Sequence, residues 1–188
     1  MQCLIKVRKV NERTGGGLFV PTAETEKPKE GYVIAAGPGL VSAETGELIE
    51  CPVAEGDLVL LSDFSGENID YCGEKHIFID ANNLLGKFED KAITLEKFSP
   101  IGDRVVVECA EAATETTTGI ALALDDDDES FQGKVMAVGP GKYYAGKLSP
   151  VGIKAGEHVM YQRYAGADAK FDEKRFKIVF EKECIAKW

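Results

Sequence analysis

Gly31-Tyr-Val-Ile-Ala-Ala-Gly-Pro-Gly39 returns about a hundred residues later as Gly133-Lys-Val-Met-Ala-Val-Gly-Pro-Gly141, and this duplication decides how the rest of the 188-residue chain is read. Neighbouring landmarks return in the same order. Leu18-Phe19-Val20, after a triple glycine, answers to Ile120-Ala121-Leu122 after Gly119, at an offset of 102. Ala54-Glu-Gly-Asp-Leu-Val59 answers to Lys154-Ala-Gly-Glu-His-Val159 at 100, and Ile77-Phe-Ile79 to Ile178-Val-Phe180 at 101. The period is too long for a solenoid repeat of about 20–50 residues and suits a small domain. The chain reads as two units, residues 1–96 and 97–188, joined by a connector over residues 89–100.

Each unit opens on a strand pattern, residues 3–10 and 104–109, in which apolar side chains alternate or run together. A polar segment follows, residues 11–28 and 113–130, with a short apolar cluster at its centre. Loops of about 18 residues are uncommon in compact domains and are usually functional or disordered. The Gly-Pro-Gly strand comes next, then residues 40–53 and 142–151, where Thr45-Gly46 and Ala145-Gly146 mark exposed hairpin tips. Short strands over 58–61, 77–79 and 84–85, and over 158–161, 176–180 and 184–185, close the units. Short strands, many glycines and no 12-residue amphipathic period predict an all-β fold of two small barrels.

A net charge of −10, with −7 before residue 99 and −3 after it, argues against nucleic acid, which requires clustered Lys and Arg. No apolar run reaches the length of a membrane-spanning helix. The chain enters its first strand directly from Met1, without a signal or transit peptide pattern. Cys3, Cys51, Cys72, Cys109 and Cys184 are odd in number and lack CxxC spacing, so they are expected to be buried reduced thiols.

A search for catalytic chemistry finds no support for any. His76 and His158 occupy unmatched positions, which argues against a histidine-based metal cluster or a Ser/His/Asp arrangement. Gly15-Gly-Gly17 lacks the Lys-Ser/Thr of a phosphate loop. Residues 125–129, four Asp and a Glu, lack the alternating ligands and central Gly of a calcium loop. The expected catalytic, metal and cofactor sets are empty.

The apolar clusters remain. Leu18, Phe19 and Val20 must either dock on their own barrel or be offered to a partner, and the preceding glycines favour mobility and binding. Burying each side chain contributes roughly 1.5–3 kcal/mol, while ordering each loop residue costs about 1–2 kcal/mol. One such loop binds weakly. Several acting together gain a factor of about 10²–10⁴, which predicts an oligomer facing an oligomer.

The whole pattern resembles the chaperonin-10 (GroES-like) co-chaperonins, in the tandem form found in plastids. The resemblance rests on Ser99-Pro-Ile-Gly-Asp-Arg-Val-Val-Val107, Gly119-Ile-Ala-Leu122, the strand over 133–141 and the Lys154-Ala-Gly-Glu-His-Val159 turn. It implies two tandem GroES-like small β-barrels, each with a mobile loop and a roof β-hairpin. It also implies a plastid location in the chloroplast stroma, without a transit peptide in this chain, and a non-enzymatic lid on a chaperonin-60 ring that encloses unfolded substrate proteins. The ATP belongs to chaperonin 60. Residues 17–20 (Gly17, Leu18, Phe19, Val20) and 119–122 (Gly119, Ile120, Ala121, Leu122) are carried over as the partner-binding sets. Family rings hold seven single units. Four tandem chains would supply eight barrels, and single-domain chaperonin-10 subunits are another way to complete a ring. Two alternatives stand beside this reading: a tandem β-barrel peptide-binding adaptor that caps nothing, and a zinc-dependent dehydrogenase, whose ligand clusters and dinucleotide fold the sequence lacks.

Overall fold

A computed structural model of the chain describes residues 1–8, 29–62, 66–109, 131–171 and 174–188. In the first repeat the strands are β1 (Gln2–Val7), β2 (Lys29–Ala36), β3 (Leu40–Val41), β4 (Leu48–Ile49), β5 (Leu58–Leu61), β6 (Glu67–Tyr71), β7 (Glu74–Asp80) and β8 (Leu84–Phe88). A short strand, β9 (Phe98–Pro100), follows. In the second repeat they are β10 (Arg104–Cys109), β11 (Gln132–Val138), β12 (Lys142–Tyr144), β13 (Lys147–Ser149), β14 (His158–Tyr161), β15 (Ala167–Phe171), β16 (Lys174–Phe180) and β17 (Cys184–Lys187).

The sequence duplication is also a duplication of topology. One sheet runs β6-β7-β1-β2-β5-β8-β9 and the other β15-β16-β10-β11-β14-β17, every neighbouring pair antiparallel. Apart from the added β9, the orders agree, and even the irregularities match: register shifts fall at Leu4/Ile5 and Val106/Val107, and again at Leu60/Leu61 and Met160/Tyr161. A bulge bends its strand and sharpens the local twist, so paired bulges curl both sheets alike. Two hairpins, β3-β4 and β12-β13, stand apart from the sheets.

The glycines of the repeated stretch have assigned tasks. A Cβ on Gly31 would collide with the Ile5 side chain, and one on Gly133 with the Glu108 carbonyl, so glycine is needed where β2 and β11 cross the bulged neighbour strand. Gly39 and Gly141 take φ of +111° and +115°, a region open to glycine, and turn the chain out of the sheet into the hairpin.

Burial separates three apolar clusters. Ile5, Val33, Val59, Leu61, Ile79 and Leu84 fill the inside of the first sheet, and Val105, Val107, Val135, Val159, Tyr161 and Val179 the inside of the second. The third lies between the sheets. It joins Leu58, Leu60, Leu85 and Phe88 to Val106, Ala169, Phe171, Phe176 and Ile178, with Phe98 among them. Strand β5 and residues 105–107 of β10 are consequently buried on both faces, which is why Leu58-Val-Leu-Leu61 and Val105-Val-Val107 are unbroken apolar runs rather than alternations. Phe98 lies 5.1 Å from the rings of both Phe88 and Phe171.

Some expectations change. The connector over 89–100 holds two 3₁₀ turns, Glu89–Lys91 and Leu95–Lys97, and ends in β9, which pairs with β8 through Lys87↔Ser99. The first strand is Gln2–Val7, and residues 9 and 10 of the expected strand lie outside the described residues. Strands β6 and β15 were not foreseen: β6 reads Glu-Asn-Ile-Asp-Tyr and is exposed or half-exposed throughout, and an edge strand with little buried surface leaves little apolar alternation. Its hairpin is set by a two-residue turn in which Cys72 and Gly73 both have positive φ, 52° and 78°. All five cysteines are thiols as expected, but only Cys3 is buried; Cys51, Cys109 and Cys184 are half-buried and Cys72 is exposed.

Candidate partner-binding surfaces

Gly17, Leu18, Phe19, Val20, Gly119, Ile120, Ala121 and Leu122 lie outside the described residues, as do residues 125–129. The structure does fix where their segments leave and return. Val7 pairs with Gly31 and Cys109 with Gly133, at the same end of the corresponding strand pairs β1-β2 and β10-β11. Beyond the first pair, the Arg8 amide donates to the Glu30 carbonyl at 2.8 Å, and the Arg8 guanidinium lies 3.6 Å from the Glu30 carboxylate. Partial burial pushes that carboxyl above its usual value, with Arg8 acting in the opposite direction. The residues that bracket the two segments thus occupy equivalent positions on adjacent antiparallel strands.

The hairpins form a second surface. Leu40, Val41 and Leu48 on β3-β4, and Tyr143, Tyr144 and Leu148 on β12-β13, are all exposed. At the tips the repeats meet: the Thr45 and Ser42 side chains crowd Gly146, where a Cβ would find no room. At the foot of each hairpin an acidic residue closes a turn. The Ala54 amide donates to the Asp57 carboxylate at 2.9 Å and the Lys154 amide to Glu157 at 2.8 Å. That backbone donor chiefly, helped by Lys187, holds the Glu157 carboxyl below its ordinary value.

The third surface comes from comparing the inter-sheet core with its repeat-equivalent positions. Register equates Leu58, Leu60, Leu85 and Phe88 with His158, Met160, Ile185 and Trp188. It likewise equates Val106, Phe171, Phe176 and Ile178 with Leu4, Tyr71, His76 and Phe78, so Ile178 answers to Phe78 at an offset of 100 and not to Ile77 at 101 as the sequence pattern suggests. One half of the buried junction is therefore repeated on the far end of the second sheet, where Met160, Ile185 and Trp188 are 40%, 65% and 61% exposed. The other half recurs on the far end of the first sheet, where Tyr71 and Phe78 are 52% and 41% exposed. These residues are apolar, and the sequence alone does not mark them because only the fold shows that their twins are buried.

The two histidines sit on these separate end faces. His76 is buried, its Nδ1 3.0 Å from the Glu74 carbonyl and its ring edge-on to Tyr71, while His158 stacks on Trp188 at 6.1 Å. Among the described residues no cluster of three His, Cys, Asp or Glu side chains is arranged to hold a metal.

Both repeats match one family, the chaperonin 10 Kd subunit, over residues 2–88 and 97–188. The chain belongs to that family, as a tandem pair of its domains. It is similar to the 20 kDa chaperonin, chloroplastic, of Arabidopsis thaliana, 31% identical over 168 residues, and to that of Spinacia oleracea, 32% identical over 168 residues. Each of these matches covers 89% of this chain, which spans 65% and 64% of those relatives' own lengths. The co-chaperonin GroES of Lactobacillus delbrueckii subsp. bulgaricus is 40% identical over 88 residues, 46% of this chain and 94% of its own.

Proposed function

We propose that the chain is a co-chaperonin whose copies join end to end into a closed ring that caps chaperonin 60 in an ATP-dependent way and assists folding of the enclosed proteins. The observation that carries the assembly is the pair of apolar end faces. Tyr71 and Phe78 at one end, and Met160, Ile185 and Trp188 at the other, repeat the two halves of a contact already made inside the chain. The outer edge of β17 repeats the β8 edge that β9 occupies. A head-to-tail contact between unlike faces generates rings when its rotation closes. Four chains supply eight barrels, and single-domain chaperonin-10 subunits are the second way to close the circle.

Gripping the chaperonin is assigned to Leu18-Phe19-Val20 and Ile120-Ala121-Leu122, a reading supported by the equivalent pairings Val7↔Gly31 and Cys109↔Gly133 that bracket the two segments. We divide the chain into domains at 1–96 and 97–188, a division supported by family matches over 2–88 and 97–188, and the chloroplastic relatives support a plastid location. The ATP chemistry belongs to the partner. The double substitution Phe19→Asp with Ile120→Asp should leave the barrels folded by circular dichroism and abolish ATP-dependent capture by chaperonin 60. Undiminished capture in a pull-down would sink the loop assignment. A monomeric mass across micromolar concentrations would instead favour a tandem peptide-binding adaptor.

A further inference from the structure

Cys3 on β1 and Cys51, two residues past β4, bring their sulfurs to 3.7 Å. Cys3 is 1% exposed within the first core, and Cys51 packs against that core from its rim, half-buried. The second repeat supplies the comparison. Cys3 pairs with Ala36 as Val105 pairs with Val138, so Val105 stands where Cys3 does. Cys51 precedes the Ala54–Asp57 turn by three residues, as Val151 precedes the Lys154–Glu157 turn. Val105 is buried, and Val151 packs against the same cluster. The contact can therefore be filled by two side chains without chemistry. In the first repeat both partners are thiols.

We infer that Cys3 and Cys51 are a thiol–disulfide exchange site, which a low-molecular-weight disulfide such as oxidised glutathione converts to an intrachain disulfide. A disulfide requires the sulfurs at about 2.05 Å, and closing from 3.7 Å is on the scale of a side-chain rotation rather than a strand displacement. Exposure sets the order of events. Cys51 can be reached from solvent and Cys3 cannot. The Cys51 thiolate attacks the small disulfide, forming a mixed disulfide and releasing one glutathione thiolate. The Cys3 thiolate then attacks the Cys51 sulfur, and the second glutathione leaves. The pair loses two electrons and two protons, and the oxidant becomes two thiols. Burial, with added contributions from the Cys51 hydrogen bond and charge, pushes the Cys3 thiol up to about 12. Once Cys51 is capped its charge no longer opposes the Cys3 thiolate, while burial, the largest cause, continues to hold that thiol up.

The new bond would fasten the foot of the β3-β4 hairpin to β1 and close a covalent loop from residue 3 to residue 51. The twin hairpin has valines there, so oxidation acts on one repeat of the two.

The test uses the full chain carrying Cys72→Ser, which removes the exposed thiol, equilibrated across a series of oxidised-to-reduced glutathione ratios. Alkylation and non-reducing peptide mapping should find a linked peptide containing Cys3 and Cys51, two hydrogens lighter than its parts, with Cys109 and Cys184 alkylated. Its urea midpoint should rise on oxidation. In Cys3→Val with Cys51→Val the midpoint should not respond to the ratio. Cys51 halted as the glutathione adduct with Cys3 still alkylatable, or both thiols unmodified throughout the series, overturns the inference. The peptide map decides the matter whether or not the valine variant folds.

Discussion

The guanidinium of Arg104 crosses the junction between the repeats: its Nη2 donates to the Asn82 carbonyl at 2.8 Å, while Nη1 donates to the Ile101 carbonyl at 3.0 Å. The side chain is buried and lies 4.6 Å from the Phe180 ring centre. Burial lowers the tendency of this group to stay charged, and Asp103 and Glu183 act the other way. The first repeat has Gln2 at the equivalent position, so this arginine belongs to the junction inside the chain and has no twin at the chain's far end.

Arg104→Gln should therefore lower stability by about 1.5–3 kcal/mol, the range for hydrogen bonds to a charged group. A urea titration would read this as a lower midpoint with an unchanged slope. An unchanged midpoint would mean that the two carbonyls find other donors.

Phe98→Ala removes the ring that lies between Phe88 and Phe171 and should cost about 3–5 kcal/mol. Because the loss falls at the boundary between sheets, unfolding should also become less cooperative. Fluorescence of Trp188, the only tryptophan, would report the second repeat, and far-ultraviolet circular dichroism the whole chain. The two transitions should separate in the variant and coincide in the parent.

Much of this fold is legible in the sequence, for a physical reason. Strands buried on one face, or glycines forced by a close approach, leave marks that survive duplication: Gly31 and Gly133, Gly39 and Gly141, and the Asp57 and Glu157 turns all repeat in register. Strand β6 left no such mark because pairing with β7, rather than burial, holds it in place. The inter-sheet core is hidden for the opposite reason. Leu58 and Leu60 look like ordinary core residues until the strand is seen to be buried on both faces. Of the candidate site, the tripeptides could be picked out from glycines and apolar contrast alone, whereas the end faces required knowing which residues are twins.

Ile185→Glu with Trp188→Glu places two carboxylates on one end face without disturbing a buried side chain, and should reduce the assembly to single chains of 20.4 kDa. Phe78→Glu should do the same from the other end. Because the contact joins unlike faces, mixing the two variants should restore pairs of chains and nothing larger. Sedimentation velocity distinguishes these outcomes, and full-size assemblies in the mixture would contradict a head-to-tail arrangement.

The carboxyl of Glu157, held low chiefly by the Lys154 amide, contributes stability that is present above its unfolded value and is lost as pH falls through its folded value. Glu157→Gln should therefore be less stable than the parent at neutral pH, and the difference should shrink as the solution becomes acidic. Thermal melts from neutrality down to about pH 3, below the ordinary carboxylate range, would show the two curves converging. A constant gap would assign the effect to shape rather than charge.

The buried aromatic junction has one more consequence, which concerns dilution. Of every two barrel–barrel contacts in an end-to-end ring of this chain, one is built into a single polypeptide around Phe88, Phe98 and Phe171 and is independent of protein concentration. Only the other follows mass action. Thinning the solution would release barrels two at a time, and a ring would depend on half as many concentration-dependent contacts as one built from single barrels.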